Sequence, residues 1–219
     1  MTKKLEPPSK ADIALLPPFT GLTLEQIIVP STQAEFVAAA ADLSRCRYVG
    51  FDTESKPCFR PGQISDGPHV IQLTTLKRAY IFQLQHDACH ALVAELLQLP
   101  TLVKVGFGLK SDRGHLLRKL AIKPRALLDL NLLFRAEGYR KEIGVKAAIA
   151  VVLKQRFQKS KHVSTSNWAL PELKSNQLLY AANDAYAALK VLEAMNKADS
   201  QLPILDQEPE PVLEPEASA

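Results

Sequence analysis

A chain of 219 residues is long enough to bury one sizeable core and too short for two large domains. Hydrophobic residues at 47% and charged residues at 23% exclude a disordered or fibrous chain, and no apolar run approaches the ~18 residues that span a bilayer. The formal charge of +4 is unevenly placed: residues 201–219 hold five acids (Asp206, Glu208, Glu210, Glu214, Glu216) and no Lys or Arg, which leaves the remainder at +9 and compatible with either a polyanionic partner or a solvated basic surface.

Residues 1–30 and 201–219 hold nine of the fifteen prolines and show poor periodicity, so both ends are expected to be extended or disordered arms. The expected organisation is a proline-rich arm over 1–30, a folded domain over 31–197 and an acidic tail over 198–219. The start MTKKLEPPSK lacks the apolar segment of a secretory signal, and Cys46, Cys58 and Cys89 form neither a disulfide framework nor a Cys-x-x-Cys pair. These features predict a cytoplasmic protein with no membrane partner.

Thr32 and Glu35 have capping-box spacing and predict a helix over 32–43. CRYVGFDTE, HVIQLTT and RAYIFQL then read as three consecutive strands, an antiparallel meander. A helical stretch CHALVAELLQL precedes the strand TLVKVGF, a helix near 111–121 and the apolar strand ALLDLNLLF, so the pattern becomes alternating strand and helix. Helices near 143–154 and 174–197 follow, separated by the basic, polar loop QRFQKSKHVSTSNWALPEL. The expected fold is α/β, a ribonuclease-H-like mixed sheet of three antiparallel strands and a parallel βαβ unit flanked by helices.

Several carboxylates fall where carboxylates are disfavoured. Asp52 and Glu54 are two apart in a strand, so both face one side and Thr53 the other; the plain alternative is a solvated strand end. Asp112 falls on the inward stripe of Leu109, Leu116 and Leu120, although it or Ser111 could instead cap the helix start. Tyr180 and Asp184 lie one turn apart on one helix face, and Ala181, Ala185 and Ala188 around Asp184 allow close approach to a sheet. A buried Asp at such a contact calls for a cation. Four hard oxygen ligands suit two Mg²⁺ or Mn²⁺ ions about 4 Å apart, which stabilise the attacking and leaving oxygens of a phosphoryl transfer.

FDTE, KVGFGLKSD and SNW followed by LLYAANDAYAAL resemble the three exonuclease motifs of the RNase D and Werner-helicase exonuclease family, over about residues 46–192. The resemblance implies a DEDDy-type 3′-5′ exonuclease that binds a DNA or RNA 3′ end, holds two divalent cations and releases nucleoside 5′-monophosphates. Carried over by the same resemblance, Asp52 would bridge both metals, Glu54 and Asp184 would complete the nucleophile's site, Asp112 would serve the second, and Tyr180 would orient the attacking water. Leu179 stands where the histidine subtype has His. Lys159, Lys161, Ser166, Asn167 and Trp168 resemble the family's basic segment and are candidate nucleic-acid contacts, with Trp168 equally a packing anchor; Lys110 and Arg113 flank Asp112 as further candidates. The insertion KPCFRPGQISDGP, with Lys56 and Arg60, is expected to form a loop beside the site.

VGFGLKS lacks the spacing of a phosphate loop, and the five histidines show no zinc spacing. Two rival readings are a catalytically inactive nucleic-acid-binding protein on the same fold and a ribonuclease-H-like endonuclease. The acidic tail after the last motif, where RNase D proteins carry helical binding domains, predicts a stand-alone catalytic domain with weak processivity.

Overall fold

The computed structural model describes residues 5–58 and 65–206. Arg60 of the insertion and the tail acids Glu208, Glu210, Glu214 and Glu216 lie outside the described residues. The β-branched and aromatic runs form strands β1 (Ile27–Ile28), β2 (Tyr48–Glu54), β3 (Val70–Thr74), β4 (Ala79–Gln83), β5 (Val103–Gly106) and β6 (Leu127–Asp129), in the spatial order β1-β4-β3-β2-β5-β6. β2, β3 and β4 are the antiparallel meander; β5 pairs parallel with β2, and β6 parallel with β5. The expected mixed sheet is present, and β1 adds a short parallel edge to β4. Two residues are too few to show periodicity.

Helices α1 (Lys10–Ala14), α2 (Gln33–Leu43), α3 (His90–Gln98), α4 (Lys110–Leu120), α5 (Leu130–Ala136), α6 (Val145–Val152), α7 (Lys161–Ser164) and α8 (Ser175–Met195) surround the sheet. The Thr32 capping box forms as its spacing predicts, with Thr32 Oγ1 accepting from the Glu35 amide at 3.3 Å. Alternation along the strands divides the core. Phe51, Ile71, Leu73 and Phe82 face α2, α3 and α4, whereas Val70 and Ile81 lie with Ala181 and Ala182 of α8. A Cβ at Gly50 would overlap the Ala185 carbonyl and Thr74 Oγ1, so glycine lets α8 approach the sheet.

Two expectations are corrected. ALLDLNLLF is a strand only at Leu127–Asp129, because the Asp129 carboxylate accepts from the Asn131 amide and starts α5. The described part of the N-terminal arm is tied to the body: Phe19 pairs its amide with the Arg156 carbonyl, and Leu22 shares two hydrogen bonds with the Asn183 side chain. Among the described residues no helix is long and apolar enough to cross a membrane.

Candidate active site

The end of β2 receives side chains from both layers. Its period of two turns Asp52 and Glu54 toward α8, where Asp184 sits one turn beyond Tyr180. Carboxylate oxygens of Asp52, Glu54 and Asp184 lie within 4.8 Å of one another, the one such cluster of His, Cys, Asp or Glu among the described residues. Hard oxygen donors this close fit a divalent cation. Asp112 comes from the opposite layer: Thr53, on the other side of the strand, donates its hydroxyl to Asp112 Oδ1 at 2.5 Å. Asp112 is therefore tied to β2 without joining the cluster of three.

Asp112 does not cap α4. Leu109 occupies the N-cap position, and Asp129 from the end of β6 accepts from the Gly108 and Leu109 amides at 3.1 Å each. The Asp129 carboxylate does the capping, so Asp112 can turn inward, only 8% exposed.

Crowding and burial set the electrostatics. Asp52 is pushed well above the usual carboxylate range by burial, then by the Asp184, Asp112 and Glu54 charges. Glu54 is pushed up to about 8 by burial and then by Asp184. Asp112 is raised by burial against the opposing Thr53 hydrogen bond. The Tyr180 phenol is pushed up to about 12 by burial and then by Asp184, so at neutral pH it is a hydrogen-bond donor rather than a base. Lys159 forms an ion pair with Asp184 and lies 5.3 Å from the Tyr180 ring centroid. Burial alone would lower its ammonium, but Asp184 and Asp52 together hold it above its ordinary value.

The other candidates disperse. Trp168 is 1% exposed, donates to the Ser164 carbonyl and packs 5.9 Å from the Tyr180 ring; it is the packing anchor, with no face free for a base. Asn167 is exposed but its side-chain oxygen accepts from the Ala169 amide, and Ser166 accepts from Gln177. Arg113 pairs with Asp206 at 2.8 Å, while Lys110 and Lys161 are exposed. Reading by motif missed Thr53 and Asp129. The strand period already turned Thr53 away from its neighbours; nothing in sequence joined Asp129 to a helix start some twenty residues earlier.

Two clefts share Asp184 as a wall. One of about 460 Å³ is lined by Asp52, Phe107, Lys146 and Lys159; the other, of about 430 Å³, by Phe19, Phe157, Tyr180 and Asn183. A family model described as 3′-5′ exonuclease matches residues 27–198. The bifunctional 3′-5′ exonuclease/ATP-dependent helicase WRN of Mus musculus is 28% identical over 170 residues, covering 71% of this chain and 12% of that protein. A 3′-5′ exonuclease of Arabidopsis thaliana is 28% identical over 164 residues, covering 73% of this chain and 57% of its own length. The chain thus spans only part of each of these relatives. Among solved structures, the Aedes aegypti Nibbler EXO domain superposes with a TM-score of 0.69 at 22% identity, covering 84% of this chain and 92% of that one. Trypanosoma brucei RNase D in complex with RNA U12 gives 0.70 at 18% identity, covering 90% and 68%. These likenesses establish the shared fold.

Proposed function

Since this chain belongs to the 3′-5′ exonuclease family, we propose that it removes nucleotides singly from the 3′ end of a nucleic acid by metal-dependent hydrolysis, releasing nucleoside 5′-monophosphates. The observation that carries this reading is the clustering of Asp52, Glu54 and Asp184 within 4.8 Å at the end of β2. We assign the cluster to one divalent ion, Mg²⁺ or Mn²⁺, and Asp52 with Asp112 to a second. Such ions would supply charge neutralisation at the scissile phosphate and acidify an attacking water.

The protein's own groups do the rest. Thr53 holds Asp112 against rotation by its hydrogen bond to Oδ1. Tyr180, still protonated at neutral pH, orients a water by hydrogen bonding, and Trp168 braces its ring. Lys159 neutralises Asp184 before the substrate arrives and stands at the wall of the larger cleft, placed to meet a backbone phosphate. The test is incubation of 5′-labelled single-stranded DNA, duplex with an overhang, RNA and a dinucleotide with Mn²⁺ or Mg²⁺, beside Asp52→Ala and Asp184→Ala. A descending ladder abolished in both variants supports the reading; undiminished activity in either sinks it.

A further inference from the structure

β3 reads VIQLT, and its two polar residues carry an unexplained expense. Gln72 and Thr74 are both 0% exposed, and Gln72 Nε2, Gln72 Oε1 and Thr74 Oγ1 have no hydrogen-bond partner among the described residues. A buried polar group left unpaired is destabilising, a penalty that a leucine or methionine at position 72 would avoid. The location of these atoms suggests why they persist. In the antiparallel β2–β3 ladder Gln72 is the register partner of Asp52, and Thr74 that of Gly50. Directly opposed residues project from the same face with Cβ atoms about 4.5–5.5 Å apart. Gln72 therefore stands beside Asp52 on the α8 side, with Thr74 next in the row.

Among the described residues Asp52 accepts one hydrogen bond, from the Thr53 amide to Oδ1 at 2.9 Å. A carboxylate that ligates a cation needs its remaining lone pairs held by hydrogen bonds, because these set its orientation. The donor must be neutral, since a second ammonium like that of Lys159 would compete with the cation. A side-chain amide meets that requirement, and its second atom needs a partner that fixes which end faces the acid. The Thr74 hydroxyl is the unpaired donor available on the same strand.

We propose that Gln72 is a positioning residue for Asp52: its Nε2 donates to the Asp52 carboxylate in the metal-loaded site, and Thr74 Oγ1 donates to Gln72 Oε1. The amide transfers no proton and touches no substrate. Its unpaired state without metal is a local instability that metal binding relieves. This rests on the reading of Asp52 as a metal ligand.

Three measurements on the full chain separate the possibilities: Tm in EDTA, Mn²⁺ affinity by calorimetry, and KM for a 5′-labelled oligonucleotide at saturating Mn²⁺. Gln72→Met is expected to leave the EDTA Tm unchanged or raised, weaken Mn²⁺ binding about 10-fold or more, and leave KM unchanged. Thr74→Val is expected to weaken Mn²⁺ binding in the same direction by less, with the double variant no worse than Gln72→Met. Unchanged Mn²⁺ affinity in Gln72→Met would overturn the proposal, as would weaker binding that merely accompanies a lowered EDTA Tm, the signature of a structural prop. Should Gln72→Met fail to fold, Thr74→Val decides alone: weakened binding at wild-type Tm supports the proposal and unchanged binding refutes it. Wild-type protein that binds Mn²⁺ no better than Asp52→Ala would instead remove the metal-site reading itself, and this inference with it.

Discussion

At the residue scale, the acids at the end of β2 owe their placement to uncharged and cationic neighbours. Thr53 illustrates the first kind: replacing it by Val keeps the strand's shape but removes the donor to Asp112 Oδ1. On the proposed assignment of Asp112 to a metal, a carboxylate freed in this way loses its fixed orientation, and Thr53→Val is expected to lower kcat about 10- to 100-fold with little change in Tm, checked by single-turnover kinetics and calorimetry. Lys159 illustrates the second. It is the ion-pair partner of Asp184 and faces a cluster in which Asp52 and Glu54 are already driven toward protonation by burial and by Asp184. Removing that cation as Lys159→Met leaves the acids to repel one another, so the EDTA Tm is expected to fall and Mn²⁺ to restore most of the loss. A Tm difference from wild type that is the same in EDTA and in Mn²⁺ would show that the ammonium is not the cluster's counter-ion.

At the scale of elements, β5 carries an unusual burden. Lys104 is 0% exposed, donates to the Leu99 carbonyl at 2.9 Å and is held down at about 7 by burial and then by Arg125. Between about 7 and the ordinary lysine value of 10.5 the unfolded chain holds a proton that the folded chain has released, so this group's contribution to stability falls as pH drops through that window. Lys104→Met is expected to stabilise the protein by on the order of 1–3 kcal/mol at pH 7, with a smaller gain at pH 9.5, read by urea denaturation at both pH values. Sequence periodicity exposed the meander, the βαβ unit and the alternation of Asp52, Thr53 and Glu54, because each rests on neighbours close along the chain. Less visible were features that depend on distant approach. Asp129 reaches the start of α4 only once β5 and β6 are paired, and α5 begins inside an apolar run because a carboxylate caps it. Trp168 had two readings in sequence; only the packing of α8 against its ring separated them.

At the scale of the whole molecule, the proposed metal site makes folding, protonation and metal binding one linked equilibrium. In the metal-free protein Glu54 keeps its proton up to about 8, whereas the unfolded carboxyl loses it near 4.5. The folded state thus binds more protons across that window, and this group's contribution to stability falls as pH rises through it. Asp52, raised by burial and the same neighbours, acts in the same direction. Divalent ions reverse the slope, because they require the ionised acids and displace the protons. The EDTA Tm is therefore expected to decline from pH 5.5 to 8, the Mn²⁺-induced rise in Tm to grow over the same range, and calorimetry to record proton release on Mn²⁺ binding. Lys104 tilts stability the other way above about 7, so the comparison that isolates the cluster is wild type against Glu54→Gln. The glutamine variant should have a flatter EDTA profile below pH 7 and release fewer protons. If its profile parallels wild type, the Glu54 proton is not what links the site to the fold, and the acids at the end of β2 would have to be stabilised in ionised form by the protein alone.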